Sequence, residues 1–196
     1  MPFIRTETHL YPPDLLANSH DAPTVPTAPE TTANPAARAW WAIYTKARQE
    51  KSLARDLLTW QIPFYLPLVT RTHVIGGKRR KSQVPLFGGY LFLWGTPEER
   101  GRALTTNRIS QTLAVPDQRQ LQFDLSQVER LITANAPLTV ESRLQPGQRV
   151  RVKSGALLGV EGTVAERRTQ SRLIVEVRFL QQGVSLEVED YYLEPI

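Results

Sequence analysis

Residues Pro85–Trp94 read PLFGGYLFLW, a dense apolar and aromatic run with two adjacent glycines in its middle. Its short length, flanking Pro and Gly and aromatic content favour a β-strand over a buried helix. Alternation along a strand would place Tyr90 and Phe92 on one face and Leu91 and Leu93 on the other. The run is therefore either a plain central strand or a strand whose Tyr90 side is also a docking surface, because open apolar patches mark interaction sites.

A basic segment precedes this strand. Two extended arms surround Gly76-Gly77 over residues 70–84, and paired glycines permit the positive φ angles of a tight β-hairpin turn. One arm carries Arg71 and His73, and the other carries the run Lys78-Arg79-Arg80-Lys81. Such crowded like charges predict a solvated tip, which serves either as a solubilising loop or as a contact to an anionic partner such as nucleic acid.

The elements around the hairpin alternate between strand and helix patterns. Thr96-Pro97-Glu98-Glu99 predicts a capped helix start, and Asp124 with Gln127 resembles a capping pair that opens a third helix after a loop at 116–123. This order predicts an α/β sandwich of about 100 residues. The predicted elements are a strand from Ala39, a helix at 48–61, a strand at 64–69, a helix from Thr96 to Thr105 and a strand at 109–115.

The C-terminal part has a different texture. From Pro146-Gly147 onward, Val150 and Val152 alternate with charged residues, and later segments repeat this period of two between Gly-containing turns. Short alternating strands of this kind predict a small β-barrel. The predicted organisation is a disordered Pro-rich tail at 1–37, an α/β domain at 38–135, a linker at 136–145 and an all-β domain at 146–196.

Charge separates these segments. The chain has a net charge of +5, but residues 38–145 carry 16 Lys and Arg against eight acids, whereas residues 1–37 are acidic and residues 146–196 are balanced. A basic middle segment is the footprint expected of nucleic-acid binding. The seven prolines of residues 1–37, with no apolar period, predict disorder there.

Composition also excludes several classes of function. The chain has no cysteine and three histidines, so thiol chemistry and disulfides are excluded and a metal site has few ligands. We find no paired carboxylates, phosphate-binding Gly loop or Ser/His/Asp set, and predict a protein that is not an enzyme and binds no cofactor. No membrane span or signal peptide is evident, which predicts a cytoplasmic protein without membrane contact.

Two motifs together resemble a known family. The stretch VRVKSGALLGVEGTV at 150–164 resembles a KOW motif, and it follows a domain containing WWAIYTKARQEKSLARDLL and PLFGGYLFLW. This combination resembles the NusG family of transcription elongation and antitermination factors, including its RfaH-like specialised paralogues. The implied fold is α+β: an N-terminal α/β sandwich, with an antiparallel sheet, flanking helices and a protruding β-hairpin, plus a small C-terminal five-stranded KOW β-barrel. Two features depart from the family: Gly88 replaces its usual Pro, and the Pro-rich tail lies outside its common core.

The resemblance implies three sets of site residues. RNA polymerase would dock on an apolar pocket, upstream or non-template DNA on the basic hairpin and its surroundings, and a protein partner such as a ribosomal protein or Rho on the barrel's Gly-rich loop. The polymerase set is Phe87, Tyr90, Leu91, Phe92, Trp41 and Tyr44; the nucleic-acid set is Lys46, Arg48, Arg71, His73, Lys78, Arg79, Arg80 and Lys81; the KOW set is Ala156, Leu157, Leu158 and Val160.

The function implied is that of a monomeric elongation factor that suppresses pausing or termination. The alternative is a ribosome-associated or RNA-binding KOW protein, against which the balanced charge of residues 146–196 argues. Loop glycines and many Val and Ile residues further predict that the C-terminal domain stays a β-barrel.

Overall fold

The structure, a computed structural model, describes residues 7–17, 37–135, 138–141, 147–167, 170–187 and 193–196. Within these residues it has three α-helices and several β-sheets, so the fold is mixed α and β, as the sequence predicts. The chain divides into two compact units, residues 1–118 and 119–196.

The first unit contains a five-stranded antiparallel sheet in the order β1-β3-β6-β2-β7 and a separate two-stranded hairpin, β4-β5. The stretch PLFGGYLFLW supplies β6 at the centre of the sheet, between β3 and β2. Its strands are β1 (Leu10–Tyr11), β2 (Ala39–Thr45), β3 (Phe64–Tyr65), β4 (Leu68–Ile75), β5 (Lys78–Pro85), β6 (Tyr90–Gly95) and β7 (Ile109–Ala114), and its helices are α1 (Glu50–Thr59) and α2 (Pro97–Leu104).

One face of this sheet packs on α1. Leu91 and Leu93 of β6 join Ile43 of β2 and the helix residues Leu53 and Leu57 in one buried cluster. The helical spacing of the two α1 leucines directs both side chains toward the sheet. The predicted core side of β6 is therefore confirmed.

Helix α2 begins as the sequence predicts. The Thr96 hydroxyl accepts a hydrogen bond from the Glu99 backbone N–H, and the Glu99 carboxylate accepts one from the Thr96 N–H. Pro97 occupies the start of the helix, where its missing N–H costs nothing.

The second unit contains most of α3 (Gln118–Thr133) and a six-stranded antiparallel sheet in the order β13-β9-β10-β11-β12-β8. Its core is aliphatic and includes Val152, Val160, Leu173 and Val175. The strands are β8 (Thr139–Glu141), β9 (Gln148–Val152), β10 (Glu161–Arg167), β11 (Gln170–Val177), β12 (Gln182–Glu187) and β13 (Leu193–Pro195), and Arg178–Leu180 forms a 3-10 turn.

Helix α3 begins six residues earlier than predicted. Asp124 is not an N-terminal cap but a buried residue inside the helix, and the predicted loop at 116–123 contributes its first turns. The residues Gln118 to Gln122 are good helix formers, and Leu121 lies one turn before Leu125 on the same face. The predicted start is wrong because a polar residue just before an apolar helical pattern resembles a cap.

Two predicted unstructured segments contain strands. Residues 7–17 of the predicted disordered tail are ordered, and their β1 pairs with β3. Residues 139–141 of the predicted linker form β8, which pairs with β12. This gives the second sheet six strands among the described residues rather than the predicted five. Strands of two and three residues are too short to show alternation, so their pairing is decided by the tertiary structure.

Candidate functional site

The basic hairpin (residues 68–85) has the predicted tight turn. Gly76 and Gly77 have φ angles of 56° and 72°, and β4 and β5 pair without a shift from Leu68↔Pro85 to Ile75↔Lys78. Both glycines are exposed and have open space around them. The turn therefore requires glycine for its backbone conformation and not for packing.

The register divides the predicted nucleic-acid residues of the hairpin between two faces. Paired residues share a face, and faces alternate along each strand. The pair His73↔Arg80 places these two with Arg71 and Lys78 on one face, while Arg79 and Lys81 lie on the other with Val74. All of these side chains are exposed, and the hairpin contains no Asp or Glu. One face thus has three permanent cations and a histidine, and the other has two cations.

The hairpin is held at its base. The Lys51 ammonium of α1 donates a hydrogen bond of 2.5 Å to the Gln83 carbonyl, and the Leu86 N–H donates one of 2.8 Å to the Pro67 carbonyl. The other two predicted nucleic-acid residues lie before α1. Lys46 bonds the Asn107 side chain at 2.7 Å, and Arg48 is exposed with a φ of 60°.

The predicted polymerase set is divided by burial. Phe87, Leu91 and Phe92 are at most 1% exposed, so they form interior packing and not an open surface. Phe92 does lie opposite the leucine side of β6, as alternation predicts, but its ring is stacked on Tyr65 with centroids 6.5 Å apart. Because the Phe92 side chain is fully buried, the structure does not support the prediction that it lines an open pocket.

The accessible members of the set are aromatic. Tyr44 of β2 is 42% exposed, and its ring lies 5.1 Å from the half-buried ring of Tyr90 in the directly paired position of β6. Trp41 is half-buried, and the Arg100 guanidinium lies 4.2 Å above its ring. We call Tyr44 and Tyr90 the tyrosine pair.

Gly89 shapes the surface beside the tyrosine pair. It has a φ of 83°, and a Cβ there would lie 2.7 Å from the Tyr44 Cε2 atom. Its N–H donates to the Glu50 carboxylate at 2.8 Å, and its carbonyl accepts from the Thr45 N–H at 2.8 Å. At Gly88, by contrast, an added Cβ would have no neighbouring atom within 4 Å. The close approach of Tyr44 thus depends on Gly89 and not on Gly88.

The predicted KOW loop lies in the second unit between β9 and β10. Ala156 is exposed, Leu157 is half-buried and Leu158 is 57% exposed, whereas Val160 is fully buried in the core. The Leu158 carbonyl accepts a hydrogen bond from the Arg130 guanidinium of α3. Burial makes Val160 a structural residue, and the accessible apolar part of the loop is Leu157-Leu158.

A buried polar cluster joins α3 to the strands of the second unit. The Asp124 carboxylate accepts hydrogen bonds from the Arg178 backbone N–H at 2.9 Å and from the Gln120 side chain at 2.7 Å. One helical turn on, the Gln127 side chain accepts from the Glu161 N–H at 3.2 Å. Burial raises the pKa of the Asp124 carboxyl to about 6, although both hydrogen bonds oppose the shift.

This shift predicts a pH-dependent stability of the second unit. The unfolded Asp124 ionises near pH 3.8, but the folded residue resists ionisation until about pH 6. The stabilising contribution of the protonated form is therefore complete below pH 3.8 and is lost as the pH rises through 6, by up to about 3 kcal/mol. We expect Asp124→Asn to remove this component, measured as the difference between the unfolding free energies of the two proteins from about pH 4 to 7.5. Parallel pH profiles would contradict it.

Comparison with known proteins shows which family part of the chain resembles. A family model described as the transcription termination factor NusG matches residues 38–132, which include β2 to β7, the basic hairpin and all of α3 except its last residue. Residues 38–132 are therefore a region of NusG type. The description of this family model indicates a role in transcription for this region. β1 lies outside the matched residues.

Two further comparisons accompany this match. A solved structure described as "Crystal Structure of MjSpt4:Spt5 complex conformation B" is 13% identical to the chain, covers 80% of it and 96% of the solved chain, and has a TM-score of 0.25. A TM-score of that size shows no shared arrangement of the whole chains. No curated protein sequence matches the chain significantly.

The described residues contain neither a metal-binding cluster nor a membrane-spanning helix. In the part of the chain that the structure describes, no group of three or more acidic or histidine side chains could hold a metal ion. Within those same ranges, no helix is both long and apolar enough to cross a membrane.

Sequence patterns missed two features of the sites. The stacking of Arg100 on Trp41 joins α2 to β2, which lie more than 50 residues apart in the chain. The Asp124 cluster depends on the backbone N–H of Arg178, which carries no side-chain signal. The one available indication was Leu121, whose spacing from Leu125 extends the apolar face of α3 toward its true start.

Proposed function

We propose that this chain binds elongating RNA polymerase through its NusG-family region, contacts upstream or non-template DNA with the basic hairpin, and suppresses pausing or termination. The second unit, as a KOW domain, would meet a protein partner. Preferential binding to the active state of the polymerase would stabilise that state by the difference in affinity. No catalytic step by this chain is part of the proposal.

The basic hairpin is the structural feature that best supports this function. Its exposed cations project from the NusG-family region on a tight, two-residue turn, with no acidic residue in the hairpin to neutralise them. Cations in this arrangement bind the phosphate backbone and release its counterions, which gives affinity without base recognition.

The two faces of the hairpin supply a sharp test. We expect the triple variant R71Q/K78Q/R80Q to weaken binding to single-stranded DNA and to lower the slope of log K against log salt by about 2, because each lost single-strand phosphate contact removes about 0.7. The double variant R79Q/K81Q removes the two cations of the opposite face. It should lower the slope by less than about 1.4 if the face that carries His73 is the one in contact with DNA. Binding of the full chain is measured by fluorescence anisotropy from about 50 to 300 mM salt.

The control for this test removes a cation that lies away from the hairpin. Arg102→Gln replaces an exposed α2 cation whose guanidinium lies 4.4 Å above the Trp60 ring, and should leave the slope unchanged. Equal slopes for the parent and the triple variant would mean that the hairpin is only a solubilising loop.

The tyrosine pair supports a polymerase contact. Accessible or half-buried tyrosines that already pack on each other lose little conformational entropy on binding, and tyrosines are enriched at binding hot spots. The burial of Phe87 and Phe92 leaves these two rings as the accessible part of the predicted set on their face of the sheet, because Trp41 pairs with Leu93 and lies on the opposite face, which packs on α1. They are the residues on which we propose that the polymerase docks.

The ion pairs of the second unit favour a protein partner over RNA. Arg151 and Arg149 both pair with Glu161, at 2.7 Å and 3.5 Å, and Arg172 pairs with Glu187 at 3.6 Å. Arginines neutralised by carboxylates are poorly suited to hold phosphates. The exposed apolar side chain of Leu158 is better suited to a protein surface. An RNA-binding KOW protein is the competing function, and it predicts tight RNA binding by chains that lack the hairpin cations.

A further inference from the structure

Residues 7–17, which we call the N-terminal segment, add a strand to the edge of the first-unit sheet. Leu10 and Tyr11 pair antiparallel with Tyr65 and Phe64 of β3, and the Leu66 N–H donates a hydrogen bond of 2.7 Å to the His9 carbonyl. Without this segment β3 would be the edge strand. The edge backbone of a sheet is a template for the pairing of any extended chain.

Side-chain contacts fix the segment beside this edge. The Glu7 carboxylate forms a two-point contact with the Arg55 guanidinium of α1, one bond of which is 3.1 Å long. The Glu7 N–H donates to the Gln83 side chain at 3.0 Å, and Leu16 is 5% exposed. The segment is therefore held through an acidic residue and a two-residue strand at a fixed spacing, and it carries a buried leucine.

The segment lies outside the family match. The NusG match begins at residue 38, whereas β1 comprises Leu10–Tyr11. The contacts that hold the segment lie at the surface of the first unit or at its sheet edge. They include a two-residue strand, an ion pair with 58% of the Arg55 side chain accessible, the hydrogen bonds of Glu7 and His9 given above, the packing of Tyr11 on the core cluster and one buried leucine. Small elements of this kind open locally at a free-energy cost well below that of global unfolding.

We propose that the β3 edge and Arg55 form a binding site for an extended acidic peptide, which the N-terminal segment occupies within the same chain. Release of the segment opens the site to a protein partner that presents an acidic residue three positions before an aliphatic-aromatic pair, the spacing of Glu7 from Leu10-Tyr11. The site is distinct from the tyrosine pair and from the cations of the basic hairpin, although it includes Gln83 near the hairpin's base, and it does not depend on polymerase binding.

The test is complementation by a peptide. A chain lacking residues 1–17 should bind a fluorescent peptide of residues 5–17, and the full chain should bind it at least about tenfold more weakly, because the tethered segment competes at a millimolar effective concentration. The peptide should also restore the slow hydrogen exchange of the Leu66 amide. The peptide variants Glu7→Ala and Leu16→Ala should bind about two- to fivefold and at least about tenfold more weakly, respectively.

Matched controls test whether the peptide binds through the contact between Glu7 and Arg55. A scrambled peptide should not bind, and Arg55→Ala in the shortened chain should weaken the parent peptide but not the Glu7→Ala peptide. No binding of the parent peptide by the folded, shortened chain would overturn the proposal. A full chain that is dimeric, and becomes monomeric without residues 1–17, would also overturn it, because the segment would then occupy the site of a second copy.

A cleavable chain covers the case in which the shortened chain does not fold. A protease site inserted between residues 22 and 28 allows the segment to be cut from the folded protein. The labelled peptide should then replace the cut segment. A segment that stays bound against excess peptide, or whose loss unfolds the first unit, would show that β1 is an integral strand and would refute the proposal.

Discussion

The double replacement of Tyr44 and Tyr90 by alanine is expected to reduce the affinity of the full chain for RNA polymerase by about 100-fold or more. Each ring is an accessible aromatic side chain, and aromatic hot-spot residues typically contribute about 2 kcal/mol or more on truncation. Their centroids lie 5.1 Å apart, so a partner that covers one ring also covers the other. The affinity is measured by titrating labelled chain with polymerase, and far-UV circular dichroism checks the fold.

Two controls separate docking from stability. Leu104→Ala removes another exposed apolar side chain of the first unit, 45% accessible, and should leave polymerase affinity unchanged. Phe92→Ala should lower the free energy of unfolding by about 3–5 kcal/mol, as expected for a fully buried ring. Unchanged affinity of the folded double variant would place the polymerase contact elsewhere on the chain.

Gly162→Ala is expected to destabilise the second unit by about 3 kcal/mol or more. A Cβ at this position would overlap the carbonyl oxygen of Ile174 and lie 2.8 Å from the Leu173 Cδ1 atom. The carbonyl belongs to the paired strand β11 and cannot withdraw without disrupting the ladder between β10 and β11. Overpacking against backbone costs more than overpacking against a mobile side chain.

The measurement can separate the two units. All four tryptophans, Trp40, Trp41, Trp60 and Trp94, lie in the first unit, so their fluorescence reports on that unit while circular dichroism follows both. Gly155→Ala is the matched control: it has a positive φ of 81° but open space around it, and should cost only about 1–2 kcal/mol. Equal effects of the two substitutions would refute the steric explanation for Gly162.

The strands and turns of the first unit were largely predictable because their signals are local. Gly76-Gly77 requires only the backbone freedom of two residues, and the cap of α2 requires only Thr96, Pro97 and Glu99. The start of α3 was mispredicted for the opposite reason. Asp124 is polar and therefore resembles a terminal residue in the sequence, but its partners are Gln120, one turn away, and Arg178, 54 residues away.

The residues of the candidate site also differ in whether the sequence alone could predict them. The basic residues of the hairpin could be named from the sequence because charge and exposure there depend on no distant contact. Which of the aromatic residues are accessible could not, because alternation assigns Phe92 to the same face as Tyr90 but says nothing of what covers that face. The predicted domain boundaries stay a prediction.

By itself, the sequence determined the central strand in PLFGGYLFLW, the tight turn of the basic hairpin, the cap of α2 and the motifs that indicate the NusG family. The first three depend on backbone preferences or on periodicity over a few residues, and the last is a resemblance of sequence motifs. Only the tertiary structure decided that Phe87 and Phe92 are interior, that the N-terminal segment completes a sheet edge, and that Asp124 is buried. Burial and edge pairing are properties of surfaces brought together from distant parts of the chain, and no local pattern specifies them.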